Sequence, residues 1–207
     1  MEVSMKNGRR IGIMGGTFNP IHNGHLLLAA KAQEQVFLEQ VLFMPSGNSY
    51  MKRNVLETQK RVDMVSLAIK NHPGFELSLI ETRKSGNTYT CETLNYLKAA
   101  NPNTQYYFIV GADILFQIEQ WRHPEQIFQM AVLVCAVRDD YDIDAIQEKG
   151  NALAASGANI IYLNMPKLDI SSTDIRAKVK SGIPISKLVP PEVAHYIEQE
   201  HLYYEED

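Results

Sequence analysis

The sequence predicts an α/β fold, a doubly wound parallel sheet with helices on both faces. Three observations carry that prediction. Short runs of β-branched and aromatic residues alternate with longer runs of helical periodicity, the pattern of repeated strand–helix units. No internal repeat, low-complexity tract or linker interrupts the alternation. The chain has 207 residues, 45% of them hydrophobic and 21% charged, which suits one domain with a sizeable core.

Taken in order, residues 1–9 read as a flexible extension of a single domain spanning 1–207, and Arg10–Met14 ("RIGIM") as a buried strand. His25–Leu38 follows as an amphipathic helix. Residues 40–45 ("QVLFMP") form the second strand, stopped by Pro45. Glu57–Lys70 is the second helix, with Val62, Val65 and Ile69 on one face. Residues 75–81 read as a strand and 90–100 as a helix, then 106–113 as a strand ending in a glycine turn and 131–137 as another strand. A helix over 142–157, a strand over 159–164 and a helix over 171–182 follow, the last with serines at its start and Gly182 after its end. Residues 192–207 close the chain as a helix with a frayed acidic end. Sheets of this kind bind ligands outside the carboxyl ends of their strands, where the strand order reverses. The loops after Met14, Met44, Val110 and Asn164 are therefore the places to look.

Bulk charge narrows the function. Twenty Lys and Arg against 24 Asp and Glu give a formal net charge of −4, a poor basis for binding nucleic acid or an anionic membrane. Two cysteines, Cys91 and Cys135, form neither a disulfide framework nor a CxxC site. The polar N-terminus resembles no signal peptide, and no segment is long enough to cross a membrane as a helix. The expectation is a reduced, cytoplasmic protein, with a homo-oligomer left open.

The stretch "GIMGGTFNPIHNGHL" is the most informative. It fits neither the G-x-G-x-x-G turn of dinucleotide-binding domains nor the phosphate loop of common kinases. His22 and His25 have H-x-x-H spacing, but no cysteine or carboxylate lies close by to complete a zinc site. An isolated pair would be read as polar residues satisfied at a helix start. Here Gly15 and Gly16 leave bare backbone that can close on a phosphate, and Gly24 leaves room for a ligand at the mouth of a helix. A helix start favours anions and disfavours imidazolium, so both histidines are expected to act as neutral hydrogen-bond donors. A second hydroxyl-rich helix start comes late, in "ISSTDIR". Alone it would be a cap.

Together, "GGTFNPIHNGHL" and "ISSTDIR" resemble the paired motifs of the nucleotidyltransferase superfamily. The chain from Arg10 to Tyr203 is similar to bacterial nicotinate-nucleotide adenylyltransferases, also through "GNTYTCETL", "FIVGAD" with "QW", and "LVPPEVAHYIEQEHLY". That resemblance implies a Rossmann-like sheet and transfer of AMP from ATP to nicotinate mononucleotide in NAD biosynthesis. It assigns Gly15, Gly16, Thr17, Phe18 and Gly24 to the ATP site. His22 and His25 would contact the phosphates, with Ser171, Ser172, Thr173 and Arg176 closing over them. Gly111 and Asp113 match a turn beside the nucleotides. Thr90 and Trp121 match positions that hold the nicotinate ring: a cationic N-ribosylated pyridine suits a tryptophan face, and its carboxylate suits a helix start. Without the resemblance, Trp121 would be read as a core anchor and Thr90 as a cap.

One loop departs from the family. Many members carry a P-P-H-K-like segment after the second strand, where this chain has "PSGNSYMKRN", keeping Lys52 as a contact for the mononucleotide phosphate. Asn19 stands where related chains often have Asp. The implied mechanism is in-line attack of a mononucleotide phosphate oxygen on the α-phosphorus of ATP. A phosphate monoester is already mostly dianionic at neutral pH, so no general base is needed. Mg²⁺ is expected, held by ATP oxygens and not by protein side chains. Rival readings are the same chemistry on nicotinamide mononucleotide or phosphopantetheine, or a non-catalytic ATP sensor. His72, His123, His195 and His201 read as structural; Arg138, at a strand end, is within reach of the nucleotide, but one arginine there is weak evidence of a contact.

Overall fold

A computed structural model describes residues 8–47, 55–138, 142–166 and 169–204. Six parallel strands form one sheet: β1 (Arg10–Gly16), β2 (Gln40–Pro45), β3 (Phe75–Leu77), β4 (Gln105–Gly111), β5 (Ala131–Arg138) and β6 (Ile160–Met165). Their order is β3-β2-β1-β4-β5-β6. The chain winds outward from β1 to β3, returns to β4 beside β1, and winds outward again to β6. The crevice between β1 and β4 is thus the switch point, where such sheets bind ligands.

The main helices are α1 (Asn23–Gln35), α2 (Thr58–Ile69), α3 (Thr90–Ala100), α4 (Ala112–Leu115), α5 (Pro124–Met130), α6 (Ile143–Ala155), α7 (Ser172–Lys180) and α8 (Pro191–Gln199). Alternation along the strands divides the core in two. Tyr107 and Ile109 of β4 join Val134 and Ala136 of β5 on the face carrying Ala29, Val65, Ile175 and Val193. Tyr106, Phe108 and Val110 join Leu133 and Cys135 on the face carrying Leu94, Leu115, Ile127 and Ile146. Caps fix two helix starts: Asp142 accepts from the amides of Asp144 and Ala145, and Ser171 accepts from that of Asp174.

Several sequence expectations change. The third strand is three residues long, because the chain leaves the sheet after Leu77 and turns through a Leu79 carbonyl–Arg83 amide bond of 3.1 Å. Helix α1 stops at Gln35, where the chain turns through Phe37 in the left-handed region (φ 52) and the Leu38 amide bonds back to Gln33. The last helix ends at Gln199, followed by turns in which His201 and Tyr203 take positive φ. Between β4 and β5 lie α4, a 3-10 turn over Ile118–Gln120 and α5, none of them anticipated. Beside the start of β1, the Arg9 carbonyl accepts the Gln105 amide at 2.8 Å and its guanidinium meets Glu39 at 3.5 Å. Residues 1–7 lie outside the described residues.

Candidate active site

The turn after β1 leads through Thr17, Phe18 and a cis Asn19–Pro20 bond into α1. Two elements distant in sequence hold this turn. From α7, Ser172 Oγ donates to the Pro20 carbonyl at 2.8 Å and Arg176 Nη1 to the Asn19 carbonyl at 2.8 Å. From the C-terminal turns, the Tyr203 hydroxyl donates to Asn19 Oδ1 at 2.9 Å. The two motifs of the sequence thus meet in space.

His22 is the N-cap of α1 and His25 its third residue. The His22 amide donates to His25 Nδ1 at 3.2 Å, and the rings stack with centroids 3.7 Å apart. Since Nδ1 of His25 is an acceptor, its neutral ring carries the proton on Nε2. His22 is 8% exposed, and burial pushes its pKa down to about 4. Both are neutral donors, although for His22 desolvation is the cause, where the sequence suggested the helix field. The amides of α1 are less available than expected: Asn23 donates to the Leu188 carbonyl and His25 to that of His22, both at 2.9 Å. The imidazoles, more than bare amides, present donors here.

Two adjoining cavities open at the switch point. One, of about 550 Å³, lies between the ends of β1 and β2 and the start of α3. The other, of about 500 Å³, lies beside the ends of β4 to β6 and the starts of α1 and α7. Gly15, Phe108, Asp113, Ile114 and Trp121 line both. His22, Gly24, His25 and Gly111 line the second cavity, as do Ser171, Ser172 and Thr173. Gly16, Thr17 and Thr90 line the first. The two chambers are neighbours with a common wall, and they divide the predicted sets differently from the sequence reading: Gly16 and Thr17 of the ATP set line the chamber of Thr90, and Gly111 of the mononucleotide set lines that of the histidines.

Not every predicted residue reaches the lining. Phe18 is 2% exposed with φ 50 and lines neither cavity. Its ring meets that of His25 edge-on at 5.1 Å and supports it from the core side. Arg176 likewise lines neither, its guanidinium being engaged by Asn19 and Thr173. The Ser171 and Ser172 hydroxyls donate to Asp174 and Pro20, and Ser171 Oγ also accepts the Asp174 amide, so both hydroxyl protons are engaged within the protein. Lys52 and the other residues at 48–54 of the loop that departs from the family lie outside the described residues, as does the side chain of Arg138. Trp121 meets Phe108 edge-on at 6.0 Å. Its Nε1 is buried without a hydrogen-bond partner. Thr90 opens α3, whose N-cap, Tyr89, makes no side-chain cap bond.

The cytidylyltransferase-like family profile matches residues 13–178. A probable nicotinate-nucleotide adenylyltransferase of Lachnoclostridium phytofermentans is 42% identical over 198 residues, covering 94% of this chain and 99% of the relative. The chain belongs to the cytidylyltransferase-like family, among its nicotinate-nucleotide adenylyltransferases. A second such relative, from a Synechococcus species, is 42% identical over 94% of this chain and 95% of its own length. The nicotinate-nucleotide adenylyltransferase fold is shared with a Plasmodium falciparum nicotinic acid mononucleotide adenylyltransferase complexed with NaAD, at TM-score 0.78 and 24% identity, covering 94% of this chain and 97% of that one.

Three structural residues escaped the sequence reading. Arg61, 1% exposed, donates to the carbonyls of Leu56 (2.9 Å), Thr17 (2.8 Å) and Ser46 (2.9 Å), joining the loops after β1 and β2 to the approach to α2. Glu81 lines the first cavity and accepts the Thr93 hydroxyl at 2.9 Å; burial raises its pKa. Tyr203, beyond both motifs, is the third. In sequence, Arg61 looks like any charged residue of an amphipathic helix.

Proposed function

We propose that this chain transfers AMP from ATP to nicotinate mononucleotide, giving nicotinate adenine dinucleotide and pyrophosphate, a step of NAD biosynthesis. One observation carries the reading. The chamber lined by the histidine pair and the Ser171–Thr173 hydroxyls adjoins the chamber lined by Thr90 and Trp121, and both share Gly15 and Asp113. A reaction joining two nucleotides end to end needs that layout. The Plasmodium falciparum neighbour complexed with NaAD holds a product of this type.

The acceptor phosphate, mostly dianionic at neutral pH, attacks the α-phosphorus in line and expels pyrophosphate. The protein orients two polyanions and stabilises the charge that builds on the transferring group. His22 and His25, neutral and fixed by their mutual contact, donate to phosphate oxygens without needing to accept a proton. Gly24 keeps the ring of His22 uncrowded. The stacking face of Trp121 and the start of α3 receive the pyridine and its carboxylate. Mg²⁺, brought in on ATP oxygens and water, would offset the negative charge of the two substrates. ATP chemistry and two free, buried thiols, Cys91 and Cys135, agree with a cytoplasmic setting.

The test is pyrophosphate release from ATP and Mg²⁺ with nicotinate mononucleotide, nicotinamide mononucleotide and phosphopantetheine offered in parallel. Turnover of nicotinate mononucleotide that falls a hundred- to a thousandfold in His25→Ala, about the cost of losing one transition-state donor, supports the proposal. Tight ATP binding without pyrophosphate release in the presence of any acceptor rejects it.

A further inference from the structure

We propose that Arg122 is a specificity-determining residue that recognises the carboxylate of the nicotinate ring; this deepens the acceptor reading above and rests on it. A carboxylate and an amide have nearly the same shape, and both accept from the N–H groups of a helix start. The carboxylate differs in carrying a charge and in presenting two acceptor oxygens where the amide presents one acceptor and an NH2 donor, so a cationic fork at the ring end of the site discriminates between them.

Arg122 is placed for this. Among the described residues lining the first cavity it is the only cation, and two carboxyl side chains, Glu81 and Asp113, line the same space. A ligand bearing a carboxylate would meet those like charges, and Arg122 is the residue that offsets them. It lines only the first cavity, with Tyr89 and Thr90, and not the histidine chamber. That assigns it to the end distant from the reacting phosphates. Its guanidinium lies over the Tyr89 ring, 4.5 Å from the centroid, and Nη1 is 3.6 Å from Glu92 Oε1. The stacking holds the planar fork at the mouth of the cavity. Glu92 does not neutralise it fully, because its other oxygen pairs with Lys84 Nζ. Two cations share the Glu92 carboxylate, so Arg122 is not held by an ion-pair partner of its own.

The experiment compares wild type, Arg122→Gln and Arg122→Lys in pyrophosphate release with ATP, Mg²⁺ and each mononucleotide. The quantity read is kcat/KM for nicotinate mononucleotide divided by that for nicotinamide mononucleotide. Arg122→Gln is expected to lower this ratio about tenfold, the size of one charge-assisted hydrogen bond, chiefly through the KM for nicotinate mononucleotide. Arg122→Lys, which keeps the charge but loses the stacked fork, is expected to give a ratio between those of wild type and Arg122→Gln. An equal fall with both acceptors would mean that Arg122 serves the shared phosphate or the scaffold, and it overturns the inference. So does an unmoved ratio, or a wild type without preference, although adenylyl transfer then stands. A wild type silent with every mononucleotide rejects the acceptor reading itself.

Discussion

The His22 amide donates to Nδ1 of His25 at 3.2 Å, and their rings lie face to face with centroids 3.7 Å apart. A proton on Nδ1 of His25 would set two N–H groups against each other. A proton added to His22 would put a charge in a site that is 8% exposed. The pair is built to stay neutral, with its donors presented to the chamber that Ser171, Ser172 and Thr173 also line.

That neutrality predicts an acid-sensitive fold. The pKa of His22 falls from 6.5 to about 4 through burial, so the unfolded chain takes up a proton that the native chain refuses. Its contribution to stability is complete above about pH 6.5 and is lost as pH falls toward 4. Between pH 7 and pH 5 the loss amounts to about 2 kcal/mol. Urea unfolding of wild type and His22→Gln at both pH values measures it: the gap between them should shrink by about that amount at pH 5. An unchanged gap would show that His22 titrates normally in the fold.

Gly24→Ala separates catalysis from stability. Gly24 is the second residue of α1, where alanine is the better helix former by about 1 kcal/mol. A Cβ there would stand 3.0 Å from His22 Nδ1 and 3.1 Å from its Cε1, so the ring must give way. The gain in propensity offsets the crowding, and Tm is expected to stay within a few degrees. The displaced imidazole is expected to lower kcat/KM at least tenfold. Full activity in this variant would show that the position of the His22 ring does not matter to the reaction.

The strands and longer helices were legible in the sequence because each repeats one period over enough residues to outweigh local exceptions. The path between β4 and β5 was not, since helices of four and seven residues carry too few turns to show a period. Both motifs assigned to phosphate by the sequence were legible because glycines, histidines and hydroxyls crowd together there. What they rest on was not. Arg61 has helical spacing like any surface charge, and only tertiary structure buries it against carbonyls from two other loops. Phe18 belongs to its motif in sequence, yet it acts from the core side, under His25.

Arg61→Lys is expected to destabilise the fold by about 2–4 kcal/mol, read by urea unfolding. A buried ammonium cannot reach the carbonyls of Leu56, Thr17 and Ser46 together. Each carbonyl left without its donor costs about 1 kcal/mol or more. Arg61→Met should be worse, since it removes the donors altogether. A near-neutral effect of the lysine would mean that these loops hold their shape without the fork.

Tyr203 ties the end of the chain to the turn after β1, and the contact predicts a catalytic effect from a remote substitution. Its hydroxyl donates to Asn19 Oδ1 at 2.9 Å while Arg176 donates to the carbonyl of the same residue at 2.8 Å. Asn19 is 7% exposed, so Tyr203→Phe leaves a buried amide oxygen without that donor, at a cost of about 1–2 kcal/mol. The segment carrying Tyr203 is braced independently: the Tyr196 hydroxyl donates to Asp63 at 3.0 Å, and Lys60 meets Glu200 at 3.5 Å. Removal of one oxygen should therefore loosen the Asn19 turn without releasing α8. Since that turn leads directly into His22, kcat is expected to fall several-fold, with KM for ATP rising less. Asn19→Asp offers the complementary measurement. A carboxylate there keeps the acceptor for Tyr203 and adds attraction to Arg176, so activity near that of wild type is expected. Loss in Asn19→Asp with full activity in Tyr203→Phe would reverse the assignment, making the Asn19 amide, and not its anchor, the group that matters.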